Sequence, residues 1–299
     1  MKLKKTAAIV GGTAGASYLT YQAISDHMFK RAFNKKKDRD IPVDEKVQTW
    51  LDLSVRKTIN RVSFDGLKLY GEDIHNHDSN RYMIFVHGIW GDKRFSYPRA
   101  YEFDKLGYNV LVIDQRAAGN SEGKYYTYGF KESMDLSLWI DYLVNTYPGV
   151  QICLYGVSMG AATVMLSTRN GLPENVKCIV EDCGFSSLKE ELDHVLKKNY
   201  KLSFTAPILL MIEQRMKKEF GTTFKDCSPK KCLESNEIPI LFIHGEADDF
   251  VPFKMAKALY NHNKGSKKFY PVPEANHTEA TIDPNYFVNI NDFISTHFN

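Results

Sequence analysis

Apolar residues in this chain gather into short runs, and the polar residues between them set the period of each segment. The runs at 82–86, 108–113, 151–155, 176–180, 238–243 and 267–272 have the length of strands and little polar alternation. Runs of that kind belong to strands covered on both faces, as in parallel sheets. Residues 58–64 and 67–74 alternate instead, and Asp65-Gly66 between them is a strong hairpin signal. Helical spacing is read at 47–55, 97–106, 130–145, 161–167 and 284–297; in the third of these, Trp139, Ile140 and Leu143 share one side. Strands alternating with helices predict an α/β protein. Its central sheet is mostly parallel, with helices on both faces and an antiparallel hairpin at its N-terminal edge. No long internal repeat and no second domain boundary is visible.

The alternation breaks after residue 185. The stretch 186–225 reads as helical and amphipathic, with Leu196, Phe204, Ile208, Leu209, Leu210, Ile212 and Met216, and Pro207 sits where a helix would start. We read about 186–226 as a small helical lid inserted between sheet strands, with ordinary packing of helices on the sheet as the competing account.

The N-terminus has its own pattern. After Lys2, Lys4 and Lys5, residues 6–24 carry no charge, close to the length a membrane-spanning helix needs. Gly11, Gly12 and Gly15 suit close helix packing in a bilayer. The reading is a single-pass anchor over 1–28 that holds the protein at the cell membrane, followed by a basic linker at 29–45 and a catalytic domain at 46–299. A cleaved signal peptide ending near Ala14-Gly15-Ala16, with secretion, is the alternative; a soluble helix is the third. The cations Lys30, Arg31, Lys35, Lys36, Lys37 and Arg39 after the run argue against simple export, and the patch can touch anionic lipid.

Composition narrows the function classes. The 299 residues carry a formal net charge of +3 and are 43% hydrophobic, which suits one large α/β domain and gives no basic stripe for nucleic acid. The five cysteines are odd in number and irregularly spaced, without a CxxC; a Cys227–Cys232 disulfide stays open. Neither G-x-G-x-x-G nor a phosphate-binding Walker loop occurs, so no cofactor and no metal is expected.

The chemistry centres on Gly156-Val157-Ser158-Met159-Gly160, a G-x-S-x-G directly between the apolar run 151–155 and the small-residue helix 161–167. Strand, sharp turn and helix in that order are the context of a nucleophile elbow. A serine hydroxyl is a weak nucleophile at neutral pH and needs a base, and the base needs a group to orient it. Asp248 lies in an acidic loop after the 238–243 run, and His277 lies in the loop after 267–272. The order Ser158, Asp248, His277 is that of hydrolases built on this plan. Asp249 and Asp182 are rival acids, while His87 and His244, in His-Gly pairs at strand ends, read as structural. Asp114 and Arg116 read as loop-stabilising. Trp90 and Phe250, near the mouth, are candidates for a substrate pocket.

With these residues in place the chain resembles the α/β-hydrolase superfamily, in particular bacterial serine hydrolases of the esterase and lipase kind with an N-terminal hydrophobic segment. The resemblance covers roughly residues 58–298 and rests on His87-Gly88, Asp114-x-Arg116-x-x-Gly119-x-Ser121, Gly156-x-Ser158-x-Gly160, His244-Gly245-x-x-Asp248-x-x-Val251-Pro252 and His277. Its spacing to Val251-Pro252 favours Asp248 over Asp249. It implies cleavage of a small, acyl- or lipid-like ester through an acyl-enzyme: Ser158 attacks, His277 moves the proton and Asp248 orients His277. It further implies that the backbone N–H groups of Met159 and Ile89 form the oxyanion hole. Ala117-Ala118 depart from the Gly-His common at that place.

Overall fold

The computed structural model describes residues 19–36 and 41–298. Its organising element is an eight-stranded sheet in the order β1-β2-β4-β3-β5-β6-β7-β8. The strands are β1 (Arg56–Val62), β2 (Lys68–Ile74), β3 (Arg81–Val86), β4 (Asn109–Asp114), β5 (Gln151–Val157), β6 (Val176–Asp182), β7 (Ile240–Gly245) and β8 (Lys267–Val272). β1 pairs antiparallel with β2, and β2 antiparallel with β4; every other neighbouring pair is parallel. The expected α/β-hydrolase architecture with its antiparallel edge is therefore present. β3, β4, β5 and β7 are buried almost throughout, which is why their sequences run apolar without alternation.

Helices cover both faces. On one side α2 (Glu45–Leu53), α3 (Tyr97–Asp104) and α10 (Tyr286–Ser295) close a core around Trp50, Phe103, Tyr155 and Phe293. On the other, α4 (Phe130–Thr146), α5 (Met159–Ser167) and α9 (Phe253–His262) pack Trp139, Leu143, Val164 and Leu259 onto the sheet. α9 has no counterpart among the sequence-based helices: its buried residues are only Met255, Ala256 and Leu259, spaced among lysines.

The stretch read as a lid forms α6 (Leu188–Tyr200) and α7 (Ala206–Phe220), then the single turn α8 (Pro229–Cys232). Lys201, at φ 54°, ends α6, and Pro207 lies in the first turn of α7. These helices build a third core with the helix at 19–33, here α1: Met28, Phe29, Ala32 and Phe33 pack with Leu192, Leu196, Ile208, Ile212, Met216 and Phe220. Arg215 holds α1 to α7, through Asp26 at 2.8 Å and by stacking its guanidinium 4.1 Å from the Phe29 ring.

The N-terminal reading changes accordingly. Phe29 and Phe33 fall in the stretch read as a basic linker, yet both are fully buried. The apolar positions 28, 29, 32 and 33 form a helical stripe that the interspersed charges obscured. Tyr21 and Ile24, counted at the end of the uncharged run, pack against the protein. No helix among the described residues is long and apolar enough to cross a membrane; most of the run read as an anchor lies outside them.

Candidate active site

Ser158 stands between the end of β5 and the first turn of α5, at φ 57° and ψ −117°. An L-residue at such angles is strained by roughly 1–3 kcal/mol. The turn closes only because its neighbours lack side chains: a Cβ on Gly156 would come within 2.6 Å of the Ala161 nitrogen. Ser158 N–H donates to Asp182 O (2.8 Å) on β6, tying the turn to the next strand. The first amides of α5 have no helical acceptors, and the helix directs its positive end at Ser158.

Two further strand ends supply the groups beside it. His277, in the loop after β8, lies with Nε2 2.9 Å from Ser158 Oγ and Nδ1 2.7 Å from Asp248 Oδ2. The carboxylate fixes the tautomer: Nδ1 carries the proton, and Nε2 is left to accept from the serine hydroxyl. Asp248, in the loop after β7, has a buried side chain, and its Oδ1 accepts from the N–H groups of Phe250 (3.0 Å) and Val251 (2.9 Å). Burial alone would raise its pKa; the hydrogen bonds from His244 and His277 outweigh it and hold the carboxyl well below the usual range.

His244 is the contact that sequence reading missed. Its Nε2 lies 2.8 Å from Val251 O and 3.2 Å from Asp248 Oδ2, so one N–H is shared between the loop backbone and the carboxylate. Desolvation acts to lower its pKa, but Asp248 and Glu181 raise it overall. The rival acids go elsewhere. Asp249 pairs with Lys198 at 2.6 Å on the surface, and Asp182 accepts from Tyr286 Oη at 2.6 Å in a buried network with Tyr155 and Arg99.

The loop after β3 faces Ser158 from the other side, so close that a Cβ on Gly88 would lie 3.3 Å from the Ser158 Cβ. His87 shapes this loop. Its Nε2 accepts from Gln115 N–H (3.1 Å), so Nδ1 carries the proton and donates to Gly88 O (2.7 Å). Burial pushes the His87 pKa down, in keeping with a neutral ring. Neither the Ile89 nor the Met159 amide has an acceptor among the described residues. Asp114 stabilises the loop by accepting from Lys93 N (2.8 Å) and Nζ (2.9 Å); Arg116 forms a buried pair with Asp135 (2.7 Å). Where Ala117-Ala118 depart from the common pattern, Ala117 takes φ 60° and stays buried, with its N–H on Glu122 O (2.9 Å).

Two cavities meet at Ser158. The larger, about 540 Å³, runs under α1 and α6; the smaller, about 370 Å³, passes His277 and Arg99. Trp90, at φ 62°, and Phe250 line both, and the Phe250 ring centroid is 4.9 Å from that of His277. His27, Met28, Arg31 and Ala32 of α1 also line the larger cavity, as does Glu191 of α6; no motif or spacing pointed to any of these. The cysteines are free thiols, and Cys227 Sγ points to Thr127 O (3.5 Å) rather than to Cys232. Cys183 sets its Sγ within 4.8 Å of the ligand atoms of Asp248 and His277. Those two side chains are already joined by their mutual hydrogen bond.

Known proteins resemble this chain at several levels. Residues 82–203 match the family described as alpha/beta hydrolase fold. The uncharacterized protein YqkD of Bacillus subtilis is 31% identical over 214 residues, 71% of this chain and 70% of its own. The lysophosphatidylserine lipase ABHD12 of Danio rerio is 23% identical over 63% of this chain, which spans only 49% of that lipase. Among solved structures, the esterase Pf2001 of Pyrococcus furiosus superposes with a TM-score of 0.69 at 24% identity, over 89% of this chain and all of that one; that likeness speaks to the fold alone. The sheet order, the family match and the YqkD relationship agree: this chain belongs to the α/β-hydrolase fold family.

Proposed function

We propose that the protein is a serine hydrolase that cleaves carboxylic esters through an acyl-enzyme. The observation that carries this reading is the continuous hydrogen-bonded line from Ser158 Oγ through both ring nitrogens of His277 to Asp248. In the proposed reaction Ser158 Oγ attacks the ester carbonyl as His277 Nε2 takes its proton. The Met159 and Ile89 amides receive the developing oxyanion, and His277 returns the proton to the leaving alcohol. Water activated by His277 then releases the acid and restores Ser158. The carbon-rich cavity under α1 and α6 would hold the larger arm of the ester. An ester rather than an amide or thioester is favoured by the names of the relatives, an esterase and a lysophospholipid lipase.

The test is labelling with a fluorophosphonate and hydrolysis of p-nitrophenyl esters of graded chain length, in wild type and Ser158→Ala. Labelling and hydrolysis that both vanish in Ser158→Ala support the reading. An inert wild type would leave a hydrolase-like fold that binds without cleaving. We also infer that the segment ahead of α1 holds the protein at a membrane, supported by the uncharged run that follows Lys2, Lys4 and Lys5. Fractionation of cells after an alkaline carbonate wash tests this, and release of the intact chain into the soluble fraction would refute it.

A further inference from the structure

Glu191 has no place in the chemistry just described, yet it lines the same cavity as Ser158. It sits in the first turn of α6 and is 4% exposed. Neither carboxyl oxygen has a hydrogen-bond partner among the described residues. A buried polar group left in that state is costly, and replacing it with an apolar side chain would remove the cost. The cost is offset when whatever fills the cavity brings a hydrogen-bonding group of its own.

The surroundings say which kind of group. The titratable neighbours are Asp248 in the loop after β7, His244 on β7, Lys198 on α6 and Tyr128 ahead of α4. Tyr128 is already committed, donating to Ala32 O at 3.2 Å. Burial first, and the Asp248 charge second, raise the Glu191 pKa to about 8. At neutral pH the group is a neutral acid with an O–H to donate and a C=O to accept. A cation is disfavoured as its partner, because His27 and Arg31 of α1 line the same cavity and Lys36 stands beside them over Trp90. An uncharged group that both donates and accepts fits, and a hydroxyl is the simplest.

We propose that Glu191 is the polar recognition point of this cavity, and that the ester the enzyme favours bears a hydroxyl on the arm that lies there. This deepens the serine-hydrolase reading and rests on it for the reaction. The probes are p-nitrophenyl octanoate against its 3-, 6- and 8-hydroxy derivatives, for a hydroxyl on the acyl arm. Octyl butyrate against 8-hydroxyoctyl butyrate covers the alcohol arm. In wild type, kcat/KM for at least one hydroxylated ester should exceed that of its plain parent by about 10-fold, the worth of one hydrogen bond of ~1.4 kcal/mol. The preference should collapse to about 2-fold or less in Glu191→Leu and largely persist in Glu191→Gln, which keeps a donor and an acceptor. No gain at any position on either arm, or a gain that survives Glu191→Leu, overturns the proposal.

A binding measurement separates this from failure of the hydrolase reading. Trp90 lines the cavity, so its fluorescence can report binding of 1-octanol and 1,8-octanediol, with Trp90→Phe as control. The ratio of the two Kd values should move about 10-fold against the diol in Glu191→Leu, whether or not the protein cleaves esters. An unchanged ratio would mean that Glu191 meets only resident water. A structural role is tested by thermal unfolding. Glu191→Leu should match or exceed the wild-type Tm, and a lowered Tm in both variants would overturn the proposal.

Discussion

Gly160 lies flat against the backbone of Val86 at the end of β3. A Cβ at position 160 would stand 2.7 Å from the Val86 carbonyl carbon, closer still to its oxygen, and 2.7 Å from the His87 oxygen. All of these are backbone atoms, so no side chain can swing away to make room. Gly160→Ala must therefore push α5 from β3 or open the turn at Ser158, and either movement widens the gap between Ser158 Oγ and His277. We expect fluorophosphonate labelling to slow at least 100-fold, consistent with the cost of an ångström-scale misplacement. Urea unfolding should show a loss of more than about 2 kcal/mol, in line with overpacking at a site that cannot relax. Labelling at the wild-type rate would mean that the turn tolerates a methyl group and that the clash carries no function.

Asp248 holds His277 in one tautomer, and that role can be tested apart from bulk and fold. Asp248→Asn keeps the shape but can present its amide N–H2 to His277 Nδ1, which favours the tautomer with the proton on Nε2. Nε2 can then no longer accept from Ser158. We expect kcat to fall by about 10³–10⁴-fold. The double variant Asp248→Asn/Ser158→Ala should be no worse than Ser158→Ala alone, because groups acting as a unit do not add. A further loss of activity in the double variant would show that Asp248 works independently of the serine.

Much of this was legible because the information is local. β3 and β5 announce themselves by apolar runs, and the elbow by two glycines whose absent side chains the turn requires. Asp248 and His277 follow from loops placed after strands at carboxyl ends of the sheet. What escaped depends on contacts distant in the chain. His244 and Asp248 are four residues apart, but only the loop geometry turns the imidazole back onto the carboxylate at 3.2 Å. The stripe Met28, Phe29, Ala32 and Phe33 is helical in period, yet Lys30 and Arg31 interrupt it, and its partners on α7 are about 180 residues away. Glu191 looks like any acid in a helix's first turn until the packing of α1 over α6 removes it from water.

The covering role of α1 makes its own prediction. Phe29 and Phe33 stack with ring centroids 4.7 Å apart, and both meet Phe220 of α7, at 5.9 and 5.6 Å. Phe33→Ala should cost about 3–5 kcal/mol if the gap stays open, and less if α7 settles into it. The effect on substrate handling is the sharper readout. Loosening α1 displaces one wall of the larger cavity while leaving Ser158, His277 and Asp248 seated on the sheet. We expect KM for an octanoyl ester to rise several-fold while the rate of labelling by a small fluorophosphonate stays within about 3-fold. A parallel fall in labelling would show that α1 supports the sheet edge itself.

Glu181 on β6 gives a pH signature that does not involve turnover. Its side chain is fully buried, with Oε2 accepting from Gly184 N–H at 3.0 Å and Oε1 without a partner among the described residues. Burial raises its pKa from 4.5 to about 8, opposed by His244 and by the Gly184 hydrogen bond and assisted by Asp182. Between those values the folded protein keeps a proton that the unfolded chain has released. Stability must therefore fall as pH rises through this window, at a slope approaching 1.4 kcal/mol per pH unit for one proton. His244 adds in the same direction. Its folded pKa is raised, so its contribution is present below the unfolded value of 6.5 and is lost as pH climbs through the folded one. Glu181→Gln keeps the acceptor for Gly184 and cannot ionise, so its urea midpoint should decline less steeply than wild type from pH 5 to 8. The two curves should lie closest at the acid end and diverge as pH rises. Parallel curves across that range would mean that Glu181 is ionised in the folded protein and that a cation, with His244 the nearest candidate, neutralises it.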